Sequence, residues 1–354
     1  MLEIDGSQGE GGGQVLRSAL NLSILTRQPV CIDNIRGQRS KPGLQPQHLK
    51  AVDAAAAISR AEVQGAAMNS TRLVFTPGEI RTGRYTWDIG TAGSTSLVLQ
   101  TVFLPLSFAD SASSVIITGG THVPWAPCYH YIELHWLPFM RRLGYDATLS
   151  LEEAGFYPQG GGRINATIRP APRIDPLVLL TRGELVSIQG ISAVANLDPQ
   201  IAERQKRWAG GRLYTQFPGL RIKTAQIPSR YKGTLLLLQA AFASDSAISP
   251  AACCFYALGE RGKPAERVAD EAVDALQAFL TTDGALDPYL ADQLLIPLAF
   301  ASGESRLRTS RITQHLLTNA WVINQFQAAS VRIDGDLGHP GWVQITPADR
   351  LHSI

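Results

Sequence analysis

The sequence predicts a mixed α/β fold: a body of three weakly repeated α/β units with a smaller α/β domain inserted into it. Three observations carry that expectation. Three places share one design, a turn of glycine, proline or small residues followed by an amphipathic helix start. Between them lie short alternating stretches bounded by Gly or Pro, which read as strands. After the proline-rich passage "RPAPRIDP" (169 to 176) the texture changes, and roughly 182 to 281 reads as the insert. The domains expected are therefore a body of 1–181 plus 282–354 and an inserted α/β domain of 182–281.

The first helix start is "IDGSQGEGGGQVLRSALNLSIL" (4 to 25), where Leu16, Leu20 and Ile24 recur at helical spacing and Gln14, Arg17, Ser18 and Asn21 hold the opposite face. The second is "IGTAGSTSLVLQTVFLPL" (89 to 106), with Ser94 or Thr95 as N-cap and Ser96 and Gln100 as a polar stripe. The third is "LDPYLADQLLIPLAF" (286 to 300), with Asp287 as N-cap and Pro288 at the first helical position. Gly6 and Gly90 stand 84 residues apart, and the third start recurs at a similar interval if about a hundred inserted residues precede it. "RLVFTPG" (72 to 78), "SVIITGG" (114 to 120) and "RINATIRP" (163 to 170) are the clearest strands of the body. In the insert, "ELVSIQGISAVANL" and "GTLLLLQAAFA" read as strands, and "PQIAERQKRWAGGRL" as a charged helix. "PAERVADEAVDALQAFL" reads as a helix with the stripe Val268, Ala272, Leu276 and Phe279. "SRITQHLLTNAWVINQF" (310 to 326) reads as a buried helix carrying one histidine.

A chain of 354 residues exceeds the size at which one core keeps growing, in keeping with two domains. Hydrophobic residues make up 45% and charged residues 18%, which excludes disorder. A net charge of +2, with a pI near 8.4, is too small to mark a nucleic-acid coat, so local clusters must decide. Cys31, Cys128, Cys253 and Cys254 show no C-x-x-C spacing; they are expected as reduced thiols, neither a zinc site nor a disulfide framework. The N-terminus lacks an apolar signal region, and the most apolar stretch, 97 to 109, is broken by Gln100 and Pro105. A soluble, cytoplasmic protein without membrane contact is expected. The sequence carries no signal for oligomeric state.

Four stretches could carry chemistry. "GSQGEGGGQVLR" (6 to 17) brings glycine amides to a helix N-terminus, where an anion is favoured. No Gly-Lys-Ser/Thr follows, and Gln14 occupies the place of the last glycine of a dinucleotide fingerprint, so a tight turn is the alternative. Glu10 could hold a divalent ion and Arg17 could reach a phosphate. "NIRGQRSKPGLQPQHLKAV" (34 to 52) sets Arg36, Arg39 and Lys41 on a loop before Gln47 and His48, either a phosphate fork or a solvated charge run. "DPYLADQ" groups Tyr289, Asp292 and Gln293 within a helical turn, to stack a base and bind a ribose or metal, or else to face water. His315 is either a core histidine with a satisfied hydrogen bond or a nucleophile, since a neutral imidazole is competent near pH 7.

Taken together, these stretches resemble the RNA 3'-terminal phosphate cyclase family. The similarity runs in the family's order through "DGSQGEGGGQVLRSALNLS", "IRGQRSKPGLQPQHL", "GTAGSTSLVLQT", "GGTHVPWAPCYHY", "GFYPQGGG", "LGERGKPAE", "YLADQL" and "HLLTN". The fold implied is the three-repeat α/β body shared with the enolpyruvyl transferases, with a smaller α/β insert. The activity implied is ATP-dependent. A histidine in H-L-x-x-N, here His315, attacks the α-phosphorus of ATP and carries AMP. AMP then passes to an RNA 3'-phosphate, and the adjacent 2'-hydroxyl closes a 2',3'-cyclic phosphate and releases AMP. The resemblance further implies Glu10 as carboxylate for a divalent metal, Mg2+ or Mn2+. It makes His315, Glu10, Arg17 and Arg39 the catalytic set, with Arg36 and Gln47 as contacts to the RNA end. Gln100, Pro127, Tyr131, Tyr289, Leu290, Ala291, Asp292 and Gln293 become the nucleotide site. The partners implied are ATP and RNA with a 3'-phosphate end.

Two positions depart from the family pattern. Ala154 precedes "GFYPQGGG" where Arg or His is usual, and His122 follows "GGT" where an acid or amide is common. A non-catalytic ribosome-assembly relative of the same fold, or an enolpyruvyl transferase, would share the architecture. The presence of His315 with intact "YLADQ" and "GEGGGQ" favours the enzyme that carries a covalent nucleotide.

Overall fold

Three sheets repeat one order, and this repetition organises the molecule. A computed structural model describes residues 1–243 and 252–349; residues 244–251 of the expected insert and 350–354 of the expected body lie outside the described residues. In the first sheet the strands Leu2–Asp5, Val30–Asp33, Leu73–Thr76 and Glu62–Gln64 lie side by side in that order. The first pair is parallel and the other two are antiparallel. The second sheet, Arg84–Asp88, Ser113–Gly119, Gly162–Arg169 and Asp146–Glu153, has the same order and senses. So has the third, Val178–Leu179, Ser305–Thr309, Gly341–Pro347 and Ala329–Asp334.

A parallel pair requires a crossover, and in each unit a helix supplies it. Those crossovers are Gln14–Thr26, Thr95–Ser107 and Pro288–Gln293 continued by Leu295–Ala299, which are the three helix starts read from the sequence. Ser94, not Thr95, caps the second, its Oγ accepting from the Leu97 amide at 3.3 Å. A second helical segment in each unit leads into the terminal hairpin: Pro46–Ser59, residues 129 to 142, and Gln314–Phe326. The histidine-bearing helix is thus the second helix of the third unit, and it packs against the first helix of the first unit.

The chain leaves the third unit after Val178–Leu179 and builds a fourth sheet before returning at Pro288. Its order is Arg221–Gln226, Leu185–Ala195, Gly233–Phe242 and Ala252–Leu258. Helices Gln200–Leu213 and Ala265–Leu280 belong to it, and Val268, Ala272, Leu276 and Phe279 face its core together with Leu236, Leu238 and Phe255. Strand side chains alternate between faces, so Leu235 and Leu237 point the other way and join the core of the body. That explains the unbroken run "TLLLL": the strand is buried on both sides. Among the described residues no helix is long and apolar enough to cross a membrane. All four cysteines are buried and free.

Candidate active site

A cleft of about 1190 Å³ opens between the units and is walled on one side by the fourth sheet and its helix Ala265–Leu280. His315 reaches it because of where it stands on its helix. Thr313 caps that helix, its Oγ1 accepting from the Leu316 amide at 3.0 Å. Leu316, Ala320 and Ile323 form the buried stripe, and His315 precedes it by one position, about 100° around the axis. Its side chain is 41% exposed.

The Nε2 of His315 lies 3.3 Å from Glu10 Oε2, and Arg39 Nη2 lies 3.3 Å from the same oxygen. Nδ1 is buried and meets no hydrogen-bond partner among the described residues. Burial, with Arg17 and Arg39 nearby, lowers the His315 pKa below its ordinary value; Glu10 opposes the shift. The ring is therefore neutral at pH 7, and Nε2 is the nitrogen open to the cleft.

A polar network fixes the surrounding groups. Arg17 donates to Gln14 Oε1 at 3.0 Å, Gln14 and Ser18 both donate to Asn319 Oδ1, and Asn319 donates to the Asp292 carbonyl at 3.0 Å. The polar face of the first helix is thus turned inward, onto the helix that carries His315. Burial brings the Arg17 pKa down to about 10, against the pull of Asp292, so it remains a cation at pH 7. Gly13 is required here because a Cβ would stand 2.5 Å from His48 Nε2 and 2.7 Å from Arg17 Nη1. The glycine loop therefore serves close packing of a cation and an imidazole beside a helix start.

The segment Pro288–Gln293 is anchored by Asp287, whose Oδ1 accepts from the Tyr289 and Leu290 amides at 3.0 Å. The same carboxylate accepts from the Tyr131 hydroxyl at 3.1 Å and from His135 Nε2 at 2.5 Å, with His135 and Asp287 fully buried. His135 lies in a π-helical turn, Ile132–Trp136, within the segment 129 to 142. Tyr289 projects into the cleft half-exposed, Asp292 is buried with its pKa raised by burial and by Asp287, and Gln293 accepts from Gln100 Nε2 at 2.7 Å.

The cleft unites Glu10, Arg17, Arg36, Arg39, Gln47 and Gln100 with Pro127, Tyr131, Tyr289, Asp292, Gln293 and His315. Leu290 and Ala291 do not line it; both are wholly buried. Arg36 donates to the Lys41 and Gly43 carbonyls, and Gln47 Oε1 accepts from the Ser94 amide at 3.1 Å, so both side chains also shape loops. Among the described residues no group of three or more His, Cys, Asp or Glu could hold a metal. Glu10 lines the cleft beside the His315 imidazole, and Asp292 is buried in the same cleft. That suits Mg2+, which is commonly held by one or two carboxylates with substrate phosphates and water supplying the rest.

Further residues line the cleft: Asn319, which ends the H-L-x-x-N block, and Tyr256, Lys263, Trp125 and Tyr157, which no local pattern in the sequence marks. The two departures acquire physical settings. Ala154 is buried, its amide donating to Pro228 O and its carbonyl accepting from Ser229 Oγ, where the second sheet meets the fourth. His122 Nε2 lies 2.8 Å from His130 Nδ1, and its Nδ1 lies 2.8 Å from Thr121 Oγ1. Each neutral ring supplies one donor and one acceptor to that chain; protonating both would oppose two N–H groups.

Burial drives the pKa of His48 down to about 3, that of His130 to about 4 and that of His122 well below its ordinary value. The folded state therefore binds fewer protons than the unfolded chain below pH 6.5, and the stability present above that pH is lost on acidification. Each group contributes up to about 1.4 kcal/mol per pH unit, while Asp292, raised by burial, works in the opposite sense. Melting temperature is expected to fall markedly from pH 7.5 to pH 5; a flat profile would contradict three neutral buried imidazoles.

A family model described as RNA 3'-terminal phosphate cyclase matches residues 8–333. An RNA 3'-terminal phosphate cyclase of Archaeoglobus fulgidus is 43% identical over 338 residues, covering 95% of this chain and 98% of its own. That of Methanopyrus kandleri is 42% identical over 356 residues, covering 98% and 99%. That of Ectopseudomonas mendocina is 44% identical over 326 residues, covering 92% of each. A solved enolpyruvyl transferase, NikO from Streptomyces tendae, matches at 12% identity with a TM-score of 0.26, covering 98% of this chain and 66% of its own; this adds nothing to the sheet order. Across almost its whole length, then, the chain belongs to the RNA 3'-terminal phosphate cyclase family.

Proposed function

We propose that this enzyme converts an RNA 3'-terminal phosphate to a 2',3'-cyclic phosphate at the expense of ATP, releasing AMP and pyrophosphate, with His315 as the covalent carrier of AMP. The observation that carries the reading is the juxtaposition of His315 Nε2 with Glu10, Arg39 and Arg17 in the cleft that also receives Tyr289, Gln293 and Gln100. Neutral His315 offers the Nε2 lone pair to the α-phosphorus of ATP; the N–P bond forms as the bond to pyrophosphate breaks. An oxygen of the RNA 3'-phosphate then displaces Nε2, giving an RNA–adenylate anhydride. Attack by the 2'-hydroxyl expels AMP and closes the ring, the proton leaving with solvent.

Each step is an in-line displacement at phosphorus, so positioning and charge neutralisation supply most of the catalysis. Arg17 and Arg39 neutralise phosphate, Arg36 and Gln47 border the RNA end, and Tyr289, Gln293, Gln100 and Pro127 surround the nucleotide. Leu290 and Ala291 act from beneath by packing the segment. Glu10 would hold a divalent ion, Mg2+ or Mn2+, which supplies charge neutralisation at the phosphates when bound. Residues 1–181 with 282–354 form the catalytic body on this reading, and 182–281 form the insert that walls the cleft.

ATP labelled at the α-phosphate, incubated with the protein and divalent metal and then denatured in alkali, is expected to leave an acid-labile label on the chain. Protein that never takes up label sinks the reading, and with it the advantage over an enolpyruvyl transferase or a non-catalytic relative. An oligonucleotide with a 2'-deoxy sugar beside its 3'-phosphate should be adenylated and then stall, because the attacking hydroxyl is missing.

A further inference from the structure

Two large aromatic side chains stand in solvent at the cleft, and the activity proposed above gives neither a task. Trp125 is 100% exposed and Tyr157 is 66% exposed, and both line the same cleft as His315. Exposed aromatics on loose loops are commonplace; these two are held on fastened backbone. Trp125 has φ +64°, a left-handed conformation that strains a non-glycine residue and persists only where the surroundings impose it. The surroundings do so: the Tyr256 hydroxyl of the insert donates to the Ala126 carbonyl at 2.8 Å and accepts from the Cys128 amide at 3.3 Å. The Tyr129 amide closes the same loop onto the Thr121 carbonyl at 2.8 Å.

The loop of Tyr157 is tied to that of Trp125. The Thr121 and His122 amides both donate to the Gly155 carbonyl at 2.9 Å, and the Gly155 amide donates to Thr121 Oγ1 at 2.9 Å. Buried Phe156 stacks on His122, ring centres 4.9 Å apart and planes 22° from parallel. The approach is so close that a Cβ on Gly155 would lie 2.3 Å from the Gly162 nitrogen and 2.4 Å from the Gly119 oxygen. One rigid two-loop unit thus presents both rings.

We propose that Trp125 and Tyr157 form a base-stacking platform for the RNA strand that runs out of the cleft from the reacting 3' end. This rests on the reading of His315 and RNA given above. A polymer whose terminal phosphate lies at Arg39 and His315 must leave through the open side of the cleft, whereas a mononucleotide need not. Every base has an apolar face, so stacking on pre-set aromatics holds single strands without regard to sequence. The nucleotide-site residues named earlier are half-buried or buried apart from Tyr289, while Trp125 is wholly open, which favours the strand over the adenine of ATP as its occupant.

The test separates RNA binding from adenylation. In Trp125→Ala and Tyr157→Ala, the KM for a 3'-phosphorylated oligonucleotide is expected to rise roughly tenfold. Label uptake from ATP, its KM for ATP and kcat at saturating RNA should stay at wild-type values. Trp125→Phe should restore most of the lost affinity. Wild type should lose a similar factor on an oligonucleotide with an abasic site among the few nucleotides preceding its terminal one, and Trp125→Ala should lose nothing further on that substrate. An unchanged RNA KM in the variant that combines Trp125→Ala with Tyr157→Ala overturns the proposal, as does a rise in the KM for ATP, which would place adenine on Trp125. Wild-type protein that forms no adduct would instead sink the underlying reading.

Discussion

His315→Ala is expected to take up no label from α-labelled ATP and to lose cyclase activity by a factor on the order of 10⁵ to 10⁶, the scale at which removal of a nucleophile acts. The fold should be unaffected. The side chain is 41% exposed, its contact with Glu10 is long at 3.3 Å, and its Nδ1 satisfies no neighbour. Such a substitution ordinarily changes stability by no more than about 0.5 kcal/mol. Thermal melting together with label uptake therefore distinguishes a nucleophile from a core histidine: a core role predicts destabilisation with activity retained in proportion to folded protein. Loss of activity with an unchanged melting temperature is the outcome expected here.

Asp287→Ala should be the most damaging change for the segment Pro288–Gln293. One buried carboxylate caps Pro288–Gln293 through two amides and receives the Tyr131 hydroxyl and His135 Nε2. Removing it leaves a buried imidazole, a phenol and two amides without their acceptor. Breaking a buried pair of this kind costs about 3–5 kcal/mol, of which the cap alone accounts for about 1. The KM for ATP should rise in the fraction that folds, because Tyr289 and Gln293 ride on the released segment. Asp287→Asn keeps a cap acceptor but sets its amide N–H against His135, so a smaller loss is expected. Denaturant unfolding and the KM for ATP, measured on both variants, check this; wild-type stability in Asp287→Ala would refute the anchoring role.

Much of the site could be read from the chain because its parts are local. Glycines before a helix, Asp-Pro at a helix start and strands bounded by Gly or Pro act within a few residues, so the three crossover helices appear where the sequence sets them. Asp287 reads as an N-cap from its position before Pro288, and it is one. Its partners Tyr131 and His135 could not be read, since they lie more than 150 residues away and meet it only when the second and third units pack.

His315 marks the same boundary. Helical periodicity set it beside a buried stripe, and the family resemblance made it a nucleophile; neither could say that Glu10 stands against Nε2 and Arg39 against Glu10 while Nδ1 is enclosed. Trp125 shows the converse, an ordinary aromatic in the sequence that the Tyr256 hydroxyl of a distant strand helps to hold open to solvent. The sequence by itself determined the fold class, the helix starts and the residue types that chemistry at phosphorus requires, because these depend on backbone conformation and side-chain chemistry over short spans. The tertiary structure alone decided which of those residues are neighbours, which are buried and which ring nitrogen is open, because burial and charge proximity arise only when separate units close on one another.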